Sequence, residues 1–275
     1  RRGCRHCARD RVGAPMSRPI LTVCGLDVKA GNRVLVRGLK LEIRPGECVA
    51  ILGRNGAGKN LTLHALAGLG DSGASPAAGS LSLDGQPLDS LPRRAIARRI
   101  GLLPQDLEAG HSETALDTVL VGRHPHLPLW RWERDEDRRL ARSMLARVGL
   151  GDSAARLTGT LSGGEQRRVA MATLLTQHPA LYLLDEPTNH LDPHHQLAVL
   201  DLFREQTHGG CAVVATLHDP TMAARYADRV VLLFGDGRWL AGPAHAVLTA
   251  ENLSALYLVR VVETAVEERR VFVTA

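Results

Sequence analysis

The sequence predicts an α/β fold: a mostly parallel sheet, an N-terminal antiparallel β subdomain and an inserted helical subdomain. Three observations carry this. A short apolar run, Cys48-Val49-Ala50-Ile51-Leu52, feeds a glycine-rich loop and then a helical pattern. Similar runs at 100–103, 181–184, 212–215 and 230–233 alternate with helical stretches, the pattern of parallel strands joined by helices. Between 106 and 178 the strand signals vanish and helical spacing takes over.

Residues 1–15 are arginine-rich and unpatterned, and read as a disordered tail or as sequence ahead of a start near Met16. Cys4 and Cys7 flank His6, but one C-x-x-C pair cannot complete a four-ligand zinc site. Three short antiparallel strands are expected next, at Ile20–Val23, Arg33–Val36 and Leu39–Ile43, before a Pro45-Gly46 turn. After the glycine loop, Leu61 to Leu69 reads as a helix, and Gly70 to Gly79 as a loose connection. A strand at Leu81–Leu83 turns at Asp84-Gly85, and a basic helix follows at 91–99. Glu133 to Val148 carries Leu140, Met144, Leu145 and Val148 on one helical face; its charge run is a solvated face. Further helices are expected near 193–207 and 220–227, and 258–275 closes as a small hairpin behind a main domain spanning 16–257.

The 275 residues are 44% hydrophobic and 23% charged, as in an ordinary globular protein. No apolar run approaches the roughly 18 residues needed to cross a membrane. The net charge of +5 is almost all arginine, with lysine only at Lys29, Lys40 and Lys59. Aromatics make up 3% and no basic patch is interleaved with stacking residues, which argues against nucleic acid as a partner. Five scattered cysteines, an odd number with no secretory leader, point to a reducing, cytosolic compartment.

The chemistry begins at Gly53-Arg54-Asn55-Gly56-Ala57-Gly58-Lys59-Asn60, a phosphate-binding loop with Asn where the pattern G-x-x-x-x-G-K-[ST] asks for Ser or Thr. Its glycines permit tight turns and close approach, and the helix start presents amides to an anion. Lys59 adds charge for the outer phosphates. The run 181–184 ends in Asp185-Glu186; side chains alternate on an extended strand, so Asp185 can serve a magnesium shell while Glu186 faces a water. The run 211–216 leads to Leu217-His218-Asp219, where His218 could contact a γ-phosphate or orient the water. Ser162 and Glu165 make a capping box, and the Gly163 and Gly164 amides add an anion site at that helix start.

The ordered set Gly53–Asn60, Gln105, Leu161–Gln166, Leu181–Glu186, Asn189–Asp192 and His218 resembles the ATPase subunit of ATP-binding cassette (ABC) transporters, over about residues 19–257. The resemblance implies a P-loop NTPase core that uses ATP and Mg²⁺. It implies that Lys59 and the loop amides, through Leu61, hold phosphates, with Asp185 supporting the metal and Gln105 touching metal or water. Glu186 is then the catalytic base and His218 the γ-phosphate sensor. Ser162, Gly163, Gly164 and Glu165, with Asp192, would serve ATP held by a second subunit in a head-to-tail homodimer. Gly122-Arg123-His124-Pro125-His126, Asn189-His190-Leu191-Asp192 and His195-Gln196 resemble importers of cobalamin, haem and ferric siderophores. Such subunits dock on transmembrane permeases at the cytoplasmic face of the membrane, served indirectly by an extracytoplasmic binding protein. The His-rich strings have the spacing of helix and loop residues, not of one metal-ligating face.

Two positions depart from the family. Ala30 stands where many members stack adenine on an aromatic, a contact worth ~1–3 kcal/mol per base in nucleic-acid systems. Asn60 replaces the hydroxyl that ligates Mg²⁺. Its amide oxygen sits one atom further out, and Mg²⁺ demands near-ideal octahedral geometry at about 2.0–2.1 Å. Thr62 lies about 200° further around the helix and is badly placed to substitute. The expectation is that nucleotide binds while Mg²⁺-dependent hydrolysis is weakened. A non-catalytic nucleotide-binding module is one rival. A soluble ABC ATPase unlinked to transport is another, disfavoured by a single cassette without sustained heptads.

Overall fold

A computed structural model describes residues 18–69, 80–105, 112–128, 133–189 and 191–275. The expected tail at 1–15, with Cys4, His6 and Cys7, lies outside the described residues, as do the 70–79 connection and His190.

The chain opens with β1 (Leu21–Ala30) and β2 (Arg33–Ile43), then β3 (Cys48–Gly53), α1 (Lys59–Leu66), β4 (Ser80–Leu83), β5 (Gln86–Pro87) and α2 (Arg93–Arg99). Next come β6 (Ile100–Leu103), α3 (Ala115–Leu120), α4 (Asp135–Arg147), α5 (Gly163–Gln177), β7 (Leu181–Leu184), α6 (Pro193–His208) and β8 (Ala212–Thr216). The chain ends with α7 (Pro220–Tyr226), β9 (Arg229–Leu233), β10 (Trp239–Pro243), α8 (Ala244–Val247), α9 (Ala250–Tyr257), β11 (Val261–Val266) and β12 (Arg269–Thr274).

The main sheet runs in the order β10-β9-β3-β8-β7-β6, parallel except for the edge strand β10. Both faces are covered. Cys48, Ala50 and Leu52 of β3 point into one apolar cluster, and Val49 and Ile51 into the other, as alternation along a strand requires. The helices α3, α4 and α5 leave the sheet after β6 and return at β7, the strand beside it. A helical subdomain thus stands in the place of a crossover, at the carboxyl edge of β6.

Two local readings differ from the sequence expectation. The three short N-terminal strands are one long hairpin, β1 with β2, within an antiparallel sheet ordered β2-β1-β4-β5. Register shifts around Cys24/Leu26 and Leu26/Val28 absorb as bulges what the sequence shows as interruptions. The sequence reading assigns no element between 234 and 257, where the structure places β10, α8 and α9. Gly242 and Pro243 hide β10, and the proline is tolerated because β10 is an edge.

Candidate functional site

β3 ends at Gly53, and α1 begins at Lys59 on an N-cap, Gly58, whose φ is 95°. That left-handed conformation needs glycine, and a Cβ there would also stand 3.2 Å from Leu35 of β2. A Cβ on Gly53 would meet the Leu233 carbonyl at 2.7 Å. The loop is therefore seated between the end of β9 and the tip of the N-terminal hairpin, where Ala30 is exposed. Arg54, Asn55 and Gly56 are exposed, Ala57 and Gly58 buried, and Asn60 and Leu61 half-buried. The first intrahelical bond runs from the Thr62 N–H to the Gly58 carbonyl at 2.8 Å. The amides of residues 59–61 precede it, at the positive end of the helix dipole, where an anion is favoured.

Lys59 is 6% exposed and folds back so that Nζ donates to the Gly53 carbonyl at 3.1 Å. The same ammonium lies 3.8 Å from Glu186 Oε1. Burial pulls the Lys59 pKa below its ordinary value, opposed by the charges of Glu186 and Asp185. A triphosphate would add further negative charge beside this buried ammonium and favour its charged form.

Asp185 follows β7 and is 1% exposed. Its Oδ1 accepts from Thr216 Oγ1 at 2.7 Å, while Oδ2 is buried with no hydrogen-bond partner among the described residues. Burial raises its pKa, Glu186 adds to the rise, and the Thr216 bond opposes it. A buried carboxylate oxygen without a partner is costly alone and is satisfied by a cation, so Asp185 fits a divalent metal. Asn60, on the first turn of α1, carries an amide arm one atom longer than a hydroxyl.

Glu186 does not alternate with Asp185 along a strand. β7 ends at Leu184, and Glu186 has φ 45°, in the left-handed region that non-glycine residues avoid. The divergence of the two carboxylates comes from this turn, which corrects the sequence reasoning. Thr216 Oγ1 accepts the Glu186 N–H at 2.7 Å. His218 Nε2 lies 2.5 Å from Oε1, and Asn189 Nδ2 donates to Oε2. Paired with a carboxylate, His218 Nε2 is the donor.

Described contacts thus bring together Lys59, Asp185, Glu186, Asn189, Thr216 and His218. Gln105 is exposed just beyond β6. Ser162 caps α5: its Oγ accepts the Glu165 N–H at 3.3 Å, and the Ser162 N–H donates to Glu165 Oε2 at 2.8 Å. The Ser162 N–H and the Ser162 hydroxyl, which donates to Oε2 at 2.9 Å, hold the Glu165 pKa below its ordinary value. Asp192 caps α6 and accepts from the His195 amide at 3.0 Å. Ser162–Glu165 and Asp192 keep contacts of their own, apart from the Lys59–Glu186 cluster. Sequence reasoning passes over Thr216; a hydroxyl closing the apolar run Ala212-Val213-Val214-Ala215 is the signal that could have found it.

The family model described as ABC transporter matches residues 36–189. A hemin import ATP-binding protein of Deinococcus radiodurans is 42% identical over 88% of this chain and 91% of its own length. A cobalamin import ATP-binding protein of Halobacterium salinarum is 40% identical over 88% of this chain, which spans only 59% of that protein. Among solved structures, an inward-facing putative metal-chelate type ABC transporter superposes with TM-score 0.79 at 28% identity, covering 94% of this chain and 98% of the other. The matched span runs through the phosphate loop to the Asp185–Glu186 turn, and the relatives extend it across nearly all of the rest: the chain belongs to the ABC transporter family.

Proposed function

We propose that the chain is the ATP-binding subunit of an ABC importer, coupling ATP binding and hydrolysis to uptake of a cobalamin, haem or ferric-siderophore type cargo. Residues 16–257 are its ATPase domain, with the helical subdomain near 106–178 and the 258–275 hairpin appended. The observation that carries this reading is Glu186, whose carboxylate stands 2.5 Å from His218 and 3.8 Å from Lys59 at the head of the phosphate loop. Relatives whose names specify hemin and cobalamin import support the cargo class.

In this reading the loop amides of 53–61 and Lys59 bind the phosphates. Asp185 holds Mg²⁺, with Asn60 as the second and weaker protein ligand and Gln105 nearby. Bound Mg²⁺ neutralises charge on the phosphate oxygens. Glu186 takes the proton of the attacking water, and His218 orients that carboxylate and the outer phosphate. Ser162 to Glu165 and Asp192 face the ATP of a second copy. The dimer docks on permease subunits at the cytoplasmic face of the membrane, and a binding protein outside delivers cargo. The test is to assay the purified chain for ATP binding and Mg²⁺-dependent hydrolysis, and for co-purification with a permease. A chain that neither binds ATP nor retains a permease refutes it.

Asn60 favours a second reading, a nucleotide-binding module without turnover. Measuring ATP affinity and hydrolysis separately decides between them.

A further inference from the structure

Arg167, in the first turns of α5, is 7% exposed. Its Nη1 donates to the carbonyls of Pro104 at 2.5 Å and Gln105 at 2.9 Å. Its Nη2 donates to the carbonyls of Asp185 at 2.7 Å and Glu186 at 3.1 Å. Four N–H groups thus meet four carbonyls, two beyond the end of β6 and two beyond the end of β7.

The strand ends explain why they need such a partner. β6 and β7 are paired in parallel as far as Leu103 with Leu184, and the Asp185 N–H still reaches the Leu103 carbonyl at 2.9 Å. Beyond that point the ladder stops. A guanidinium is a rigid planar fork that spans two chains at once; an ammonium has three donors at one point.

We propose that Arg167 is a positioning residue for hydrolysis: it fixes Glu186 in its left-handed turn and makes the start of α5 move as one body with the turns carrying Gln105 and Glu186. The inference rests on the ATPase reading above. The Glu186 backbone is held from both sides, its N–H by Thr216 and its carbonyl by Arg167, so the strained φ of 45° has two tertiary supports. α5 also carries Ser162 at its N-terminus, five residues before Arg167. One side chain therefore joins the helix assigned to a second copy's nucleotide to the carboxylate assigned to this copy's own.

The test uses the full chain as parent, Arg167→Lys and Arg167→Met. ATP affinity, kcat and KM are measured with thermal midpoints and amide hydrogen exchange with and without ATP. Lysine satisfies at most part of the set, so Arg167→Lys is expected to bind ATP within about threefold of parent while kcat falls on the order of tenfold or more. In the parent, ATP is expected to slow exchange at the start of α5, at Gln105 and over 185–189 together. In Arg167→Lys the α5 response separates from the other two. Lowered thermal stability with parental kcat, KM and exchange coupling in Arg167→Lys would assign Arg167 to packing alone and overturn the proposal. If Arg167→Met fails to fold, the lysine variant still decides. If the parent binds ATP without hydrolysing it, the ATPase reading fails, and the exchange pattern alone tests the coupling.

Discussion

In the proposed ATPase, Asn60 is the residue expected to limit hydrolysis. It stands beside Lys59 in the first turn of α1, and Asp185 carries a carboxylate oxygen with no hydrogen-bond partner among the described residues. Replacing the amide arm with a hydroxyl shortens the reach by one atom. A misplacement near 1 Å costs on the order of a hundredfold in rate, so Asn60→Thr is expected to raise Mg²⁺-dependent hydrolysis by roughly ten- to a hundredfold. Steady-state phosphate release measures it, and no rise would show that Asn60 is not the limit. Thr216 offers a second check. Its hydroxyl accepts from the Glu186 amide and donates to Asp185. Thr216→Val keeps the shape and leaves a buried N–H unpaired, at a cost of about 1–3 kcal/mol. Thermal denaturation should show a midpoint several degrees lower, with hydrolysis reduced more than ATP affinity.

At the scale of elements, the ends of strands hold the site and also the fold. Asp228, just before β9, accepts the Cys48 amide of β3 at 2.8 Å and both terminal nitrogens of Arg204 on α6 at 2.7 and 2.9 Å. Burial works to raise its pKa, but the Arg204 and Cys48 hydrogen bonds outweigh it and hold the group below its ordinary value of 3.8. A depressed carboxylate pKa stabilises the fold above the unfolded value and loses that effect as pH falls through the folded one. Asp228→Asn should therefore melt below the parent at pH 7, and the gap should narrow in acid below pH 3.8. A gap independent of pH would assign the loss to packing instead. The five parallel strands of this sheet were legible because each is a short apolar run closed by a turn or a polar end, whereas the edge strand β10 was not. The phosphate loop was legible because glycine spacing and lysine are local. The Glu186 turn was not, because its φ is set by Thr216 and Arg167, which lie 30 and 19 residues away in sequence. The bulged hairpin β1–β2 was missed for a related reason: a bulge looks like a strand end until its partner strand is known.

At the scale of the whole molecule, the proposed function gives one copy two unlike halves of a site. The phosphate loop and Glu186 form one cluster, and Ser162 and Glu165 at the N-terminus of α5 make their hydrogen bonds with each other, with Arg167 of the same helix reaching the Glu186 carbonyl. A Cβ on Gly163 or Gly164 would meet nothing within 4 Å, so there is free space beside this helix start. No helix among the described residues is long and apolar enough to cross a membrane. If each α5 start completes the site of its neighbour, ATP held without turnover should fasten two copies together. Glu186→Gln removes the proton acceptor and keeps the size of the side chain. Light scattering after size exclusion should show it as a monomer without nucleotide and as a dimer of twice the mass with ATP and Mg²⁺. Adding Ser162→Arg, which places a bulky side chain at the open helix start, should return it to a monomer while leaving ATP affinity within about threefold, since each copy still holds nucleotide with its own loop. A Glu186→Gln chain that binds ATP and stays monomeric at high protein concentration would separate the two halves and refute the shared site.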